Sequence, residues 1–330
     1  YNATMATSRR MIVLLGPTAG GKSELAVRLG EALDAAEIVS ADSMQIYRHM
    51  DAGTAKPTAA QRARVAHHLI DVVEPTERFT VADWLARAEP IIDALLAEGR
   101  WPIVVGGTNL YLKALLEGMF EGPAADPALR EQLEATPARQ LHERLRTIDP
   151  PAAARIHVND TKRLVRAIEV YETTGQPIST WQQQWRDADA RSDDANYRRD
   201  PILIGLDWPR DAINQRINRR VKAMFHPDKV DSELAAATCP NGESLPDETA
   251  RLEAAGLLGT QAREALGYKQ VLAALRGEMS MEDAFEQTKI QTRRFAKSQR
   301  TWLRRYRGVH WLDAADQTVV EAATAVVREG

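Results

Sequence analysis

The chain has 330 residues, 44% of them hydrophobic and 27% charged, with a formal net charge of −3. This composition predicts a soluble globular protein of one large domain or two ordinary ones. The single cysteine, Cys239, excludes an internal disulfide and a cysteine zinc cluster, and the seven histidines include no metal-site spacing.

Residues 1–10 are polar, and no apolar run approaches the ~20 residues that span a bilayer, so the expectation is a cytoplasmic protein without a membrane partner. The mild negative charge argues against a nucleic-acid partner only on average, because a local basic face still binds phosphates. In chain order, Met11-Ile12-Val13-Leu14-Leu15 reads as a buried strand. It breaks into a turn, Gly16, Pro17, Thr18, Ala19, Gly20, Gly21, Lys22 and Ser23, and then into the amphipathic Glu24–Leu29. Gly16, four residues, then Gly21-Lys22-Ser23 is the spacing of a phosphate-cradling loop. Glycines let backbone N–H groups converge on an anion, the helix N-terminus adds positive charge, Lys22 neutralises a phosphate, and the Ser23 hydroxyl can hold Mg²⁺.

Glu37–Asp42 reads as a second strand ending in an acid. In a parallel sheet the strand C-termini face the ligand crevice, which sets Asp42 beside the phosphate loop as a chemical group, a helix cap or a Mg²⁺ ligand. The adjacent His67 and His68 read as ordinary polar or cap positions. Gly53-Thr54-Ala55-Lys56-Pro57 is a turn, Val81–Glu98 a helix closed by Gly99, and Pro102–Tyr111 repeats the strand, glycine turn, helix pattern. The alternation predicts an α/β fold, a P-loop doubly wound parallel sheet core. Between 122 and 199 strand signals vanish among Pro127, Pro137, Pro150-Pro151 and Pro177, as expected of an inserted all-helical domain. Residues 1–121 and 200–330 then form the core, which the chain re-enters at Pro201–Leu206. Helical patterns follow at Arg210–Phe225, Thr249–Leu258 and Glu282–Arg307, with a last strand at Val309–Leu312. His226–Glu248, with Pro227, Cys239, Pro240, Gly242 and Pro246, reads as a loop. No heptad seam is present, so a monomer is expected.

The last long helix carries Lys289, Arg293, Arg294, Lys297, Arg300, Arg304, Arg305 and Arg307 with no acid between Glu286 and Asp313. Arg293, Lys297, Arg300 and Arg304 share one helical face, while Phe295, Gln299, Trp302 and Tyr306 are expected on a packing face. Surface helices usually mix signs, so this face is expected to bind phosphodiesters.

The phosphate loop, Asp42-Ser43-Met44-Gln45-Ile46-Tyr47, Gly53-Thr54-Ala55-Lys56-Pro57, Gly106-Gly107-Thr108 with Leu110-Tyr111, Gly267-Tyr268-Lys269 and Trp302-Leu303-Arg304 occur in one order over residues 11–312. Together they resemble the bacterial tRNA dimethylallyltransferase family. The resemblance implies transfer of a dimethylallyl group from dimethylallyl diphosphate to N6 of adenosine 37, in the anticodon stem-loop of tRNAs reading codons that start with U, with release of diphosphate. It assigns the loop to a diphosphate, with Mg²⁺, and makes Asp42 the general base, with Thr18 and Arg220 as further catalytic residues. It makes 122–199 a tRNA-binding insertion. tRNA contacts carried over are Asp42, Ser43, Met44, Gln45, Thr108 and Arg130; Lys162, Arg163, Leu164, Val165 and Arg166; Glu264, Ala265, Leu266, Gly267, Tyr268 and Lys269; and Lys297, Ser298, Gln299, Arg300, Thr301, Trp302, Leu303 and Arg304. The chain departs from many relatives at Ser298 and Arg300, and in the length of 226–248. Read from the residues alone, Arg220 also fits a surface ion pair, and a P-loop small-molecule kinase or an RNA-binding ATPase module also fits the loop.

Overall fold

A computed structural model describes residues 9–119, 122–123, 126–182 and 197–329. Six strands form one parallel sheet: β1 Ile12–Leu15, β2 Ala36–Ser40, β3 His67–His68, β4 Trp101–Val105, β5 Ile202–Asp207 and β6 Val309–Asp313, in the order β3-β2-β4-β1-β5-β6. The central strand β1 pairs Ile12 with Ile103 on one side and with Ile202 on the other. A strand buried on both faces has to be apolar throughout, as Ile12-Val13-Leu14-Leu15 is. Ile12, Leu14, Ile103 and Ile204 share an apolar cluster with Leu25 and Leu29 of the helix Lys22–Ala32 and with Val320 and Val327 of the helix Val319–Glu329. By strand alternation Val13 and Val104 turn to the other face. There the helix Val81–Ala97, opened by a capping box at Thr80, buries Trp84, whose indole stacks on Tyr111 and donates to the Ser40 carbonyl.

The ends of β2 and β4 meet without a side chain between them. A Cβ at Gly106 would lie 2.1 Å from the Ala41 carbonyl, so only glycine lets the two loops pass. Ala41 N donates to Val105 O and Thr108 N to Ala41 O, tying the loop that carries Asp42 to the loop that carries Thr108.

Three readings of the sequence are corrected here. His67 and His68 are not cap positions but the edge strand β3, paired with Ile38 and Val39; two polar residues carry no apolar periodicity by which a strand could be recognised. The stretch 226–248 is not all loop. It holds a 3₁₀ turn at Pro227–Lys229 and a helix Ser232–Thr238, capped by the Asp231 carboxylate on Leu234 N. The next helix is Leu245–Ala254, with Ser244 as cap and Pro246 in its first turn. The basic helix runs Met281–Leu303, not on to Arg307, and its Phe295 is 41% exposed instead of packed.

Among the described residues, those up to Leu116 and from Tyr197 onward form one compact unit, and those between form a second. The second unit is helical: Pro127–Glu134, Ala138–Ile148, Pro150–Ala153, Thr161–Thr174 and Ile178–Trp181, closed around Leu133, Leu141, Leu145, Leu164 and Ile168. At its centre the Glu169 carboxylate, fully buried, accepts from Arg130 Nε at 2.8 Å, from Arg166 Nη1 at 2.7 Å and from Asp126 N at 2.9 Å. Burial alone would raise its pKa, but these donors prevail and hold it below the usual carboxylate range.

Candidate active site

The phosphate loop lies where β1 gives way to the helix Lys22–Ala32. Gly21 occupies the N-cap with φ 87°, and the loop reverses through Ala19, a non-glycine residue at φ 58°, a conformation that costs about 1 kcal/mol and needs outside support. That support is visible. Arg216 Nε donates to the Ala19 carbonyl at 2.8 Å, and Trp208 Nε1 donates to the Gly20 carbonyl at 2.9 Å. Inside the loop Lys22 Nζ donates to the carbonyls of Gly16 and Pro17, both at 2.9 Å. Its burial penalises the ammonium and, against the attraction of Asp42, lowers its pKa to about 8.

A cavity of about 350 Å³ opens over the loop and is lined by Lys22, Ser23, Asp42, Arg216 and Arg220; a second of about 300 Å³ shares Thr18, Asp42 and Arg220 with it. The second has an apolar wall of Met44, Ile217, Val221, Met224, Leu266 and Phe295, which explains the exposure of Phe295. Asp42 sits at their junction. Its Oδ1 accepts from Met44 N at 2.9 Å, capping the turn after β2, so no helix follows for it to cap. Its Oδ2 makes no hydrogen bond among the described residues and faces the Gly107 side of the cavity. Thr108 Oγ1 accepts from Ser43 N at 2.8 Å. Gln45 spans from Ser40 to the carbonyls of Thr54 and Ala55.

Arg220 lines both cavities from the helix Arg210–Phe225. Its Nε is shut off from solvent with no hydrogen-bond partner, and no ion pair involving it occurs among the described residues. Burial lowers the pKa of this guanidinium while Asp42 opposes the shift. A half-buried cation without an ion-pair partner, lining both cavities beside the loop, is a group suited to an anion. Lys56 is different: its ammonium is saturated by Tyr47 O, Asp51 and Asp71 and serves the loop's architecture.

Gln299 is the residue whose role sequence reasoning did not anticipate. It is 1% exposed, accepts from Thr18 N at 2.8 Å and donates to Gly107 O at 2.9 Å, so the basic helix bridges the phosphate loop to the turn after β4. Trp208 and Arg216 sit outside every recognised motif, since the loop carbonyls they hold lie 188 and 197 positions away. On the outer side of the same helix Arg293, Arg294, Lys297, Arg300 and Arg304 converge on one groove with Arg210. Arg293 donates to Asn218, and Arg300 lies 3.7 Å from Asp207; Lys297, Ser298, Thr301 and Arg304 are exposed, Trp302 is half-buried, and Leu303 packs inward.

The other carried-over stretches divide by burial. Glu264, Ala265 and Leu266 line the second cavity, Lys269 pairs with Glu264 at 2.8 Å, and Gly267 and Tyr268 are buried, with the Tyr268 hydroxyl on Glu248. In the helical unit Lys162 and Arg163 are exposed, Leu164 and Val165 are core residues, and Arg130 and Arg166 are engaged by Glu169. For a metal, no cluster of three or more His, Cys, Asp or Glu residues occurs among the described residues. The exposed Ser23 hydroxyl at the helix start is an oxygen donor of the kind Mg²⁺ would take.

A family model described as IPP transferase matches residues 45–306. The chain belongs to the IPP transferase family. It is 46% identical over 314 residues to a tRNA dimethylallyltransferase of Syntrophobacter fumaroxidans, covering 93% of this chain and 84% of the relative. Its fold matches the full-length tRNA isopentenylpyrophosphate transferase of Bacillus halodurans with a TM-score of 0.65 at 35% identity, over 97% of both chains. It also matches a eukaryotic dimethylallyltransferase acting on tRNA, with a TM-score of 0.74 at 25% identity, over 97% of this chain and 78% of that one. No helix among the described residues is long and apolar enough to cross a membrane.

Proposed function

We propose that this protein transfers the dimethylallyl group of dimethylallyl diphosphate to N6 of adenosine 37 in tRNAs reading codons that start with U, acting as a monomer in the cytoplasm. The observation that carries the reading is the shared cavity. The free Asp42 Oδ2, the phosphate loop and the unpaired Arg220 face one space, with an apolar wall alongside.

In this reading the loop N–H groups, Lys22 and Arg220 hold the diphosphate. Their positive charge complements the negative charge that develops on the leaving oxygen as the allylic C–O bond breaks. The Ser23 hydroxyl would hold Mg²⁺, which supplies further charge neutralisation when bound. The exocyclic amine forms the new N–C bond to the allylic carbon, the C–O electron pair leaves with the diphosphate, and the amine proton passes to Asp42 Oδ2. Thr18 and Thr108 flank the reacting groups, the first through a backbone fixed by Gln299 and the second through Ser43. The outer groove of the basic helix takes the tRNA backbone, and Lys162 and Arg163 of the helical unit supply further phosphate contacts.

Incubation with labelled dimethylallyl diphosphate and unmodified tRNA tests the proposal. Label is expected in tRNA with one diphosphate released per transfer. Phosphate transfer from ATP to any acceptor, with no prenyl transfer, would instead identify a P-loop kinase.

A further inference from the structure

The helix Arg210–Phe225 brings a second guanidinium to the loop besides Arg220, and it is held differently. Arg216 stacks on the Trp208 indole, its guanidinium carbon 4.5 Å from the ring centre, and spends only Nε on protein, on the Ala19 carbonyl. Its two terminal nitrogens make no hydrogen bond among the described residues. One of them would lie 3.8 Å from a Cβ placed on Gly21, the residue at the helix N-cap, and Arg216 lines the cavity over the loop. The same Trp208 donates to the Gly20 carbonyl. In a trans peptide the N–H opposes the C=O, so fixing the Gly20 oxygen on the indole turns the Gly21 N–H away from it.

We propose that Arg216 is a second diphosphate-gripping cation of this site, and that Trp208 is its positioning residue. Trp208 acts twice, by presenting a flat face on which the guanidinium plane is fixed and by orienting the Gly20–Gly21 peptide that donates to the same anion. The left-handed Ala19 fits this arrangement: a strained residue is retained because its carbonyl is the hook for Arg216 Nε. Lysine at 216 would keep the charge but lose both the stack and the Nε hook. The inference rests on the dimethylallyl-transfer reading for the identity of the anion.

The test is calorimetric binding of dimethylallyl diphosphate and of inorganic pyrophosphate to the parent and to the Arg216→Ala, Arg216→Lys and Trp208→Phe variants, with donor KM and kcat measured beside it. Arg216→Ala is expected to weaken both ligands by roughly 10–100-fold, the usual scale for a bidentate or charge-assisted contact. Arg216→Lys should recover less than half of that loss on a logarithmic scale. Trp208→Phe, which keeps a ring for stacking but has no N–H for Gly20, should weaken pyrophosphate several-fold, raise donor KM and leave tRNA affinity unchanged. The inference is overturned if Arg216→Ala binds pyrophosphate within twofold of the parent, or if Arg216→Lys matches the parent. It falls together with the functional reading only if the parent itself binds neither ligand. Thermal melts of the variants, expected to fall only slightly because each loses one hydrogen bond of an exposed or half-buried side chain, separate a binding loss from unfolding, and binding that tracks a lowered melt would likewise overturn it.

Discussion

Burial of Lys22 makes donor binding depend on pH in a window where the ligand does not titrate. The free protein holds its ammonium at about 8, against an ordinary 10.5. A diphosphate seated on the loop restores the charged form and pulls the value back up. The difference of about 2.5 units corresponds to ~3 kcal/mol at 1.36 kcal/mol per unit, which binding at high pH has to supply for protonation. The sign follows. Below pH 8 the lysine is already charged and affinity is flat; above it affinity falls by up to tenfold per unit until the bound-state value is reached. Dimethylallyl diphosphate is a monoester whose last ionisation lies near the ~6 of phosphate monoesters, so its charge is constant above pH 7.5. Calorimetry from pH 7.5 to 9.5 should show roughly a twentyfold loss for the parent and a flat profile for Lys22→Arg, which stays charged throughout. A parent curve as flat as that of Lys22→Arg would refute the argument from burial. The same shift bears on the unliganded fold: a Lys with a depressed folded value destabilises the charged form, so stability rises with pH between about 8 and 10.5.

Asp42→Asn keeps the cap on Met44 N but cannot accept a proton, so single-turnover transfer should fall by roughly 10²–10⁴ while tRNA affinity stays within a few-fold. The double change Lys297→Ala, Arg304→Ala should raise KM for tRNA, leave the donor KM alone, and reduce the log–log salt slope of tRNA binding by about two. An unchanged slope would make the outer groove an ordinary solvated surface. Glu169→Gln removes the charge that Arg130 and Arg166 share and should destabilise the helical unit by about 3 kcal/mol in urea. Because the carboxylate is held below its ordinary 4.5, its contribution is complete at neutral pH and is lost as the pH falls through and below that value, so parent and variant should converge in acid.

What the sequence made readable was local. Apolar runs located β1, β2, β4, β5 and β6, and the Gly16–Ser23 spacing marked the loop over which the cavity opens. What it concealed was decided by partners far along the chain. His67 and His68 become a strand only because Ile38 and Val39 offer an edge. Phe295, at a position whose helical spacing matches buried Gln299, is exposed because a cavity and not a neighbouring helix lies opposite it. In 226–248 the prolines and glycine that suggest a loop fall between and at the starts of short helices, where such residues belong. Arg130 and Arg166 look like free cations in a string of letters; a buried Glu169 engages them in space.

Gln299 has a thermodynamic consequence. One side chain, on the helix whose outer face carries Lys297 and Arg300, also fixes the backbone of Thr18 at the anion loop. If a polyanion settles on that outer face and a small anion in the loop, this hydrogen bond is one path by which a shift of the helix would reach Thr18. Coupling of this kind is reciprocal: whatever factor the large ligand adds to the affinity for the small one, the small one adds to the affinity for the large. A measurement of either affinity in the presence of the other ligand, repeated with Gln299→Ala, reads how much of that coupling passes through this one amide.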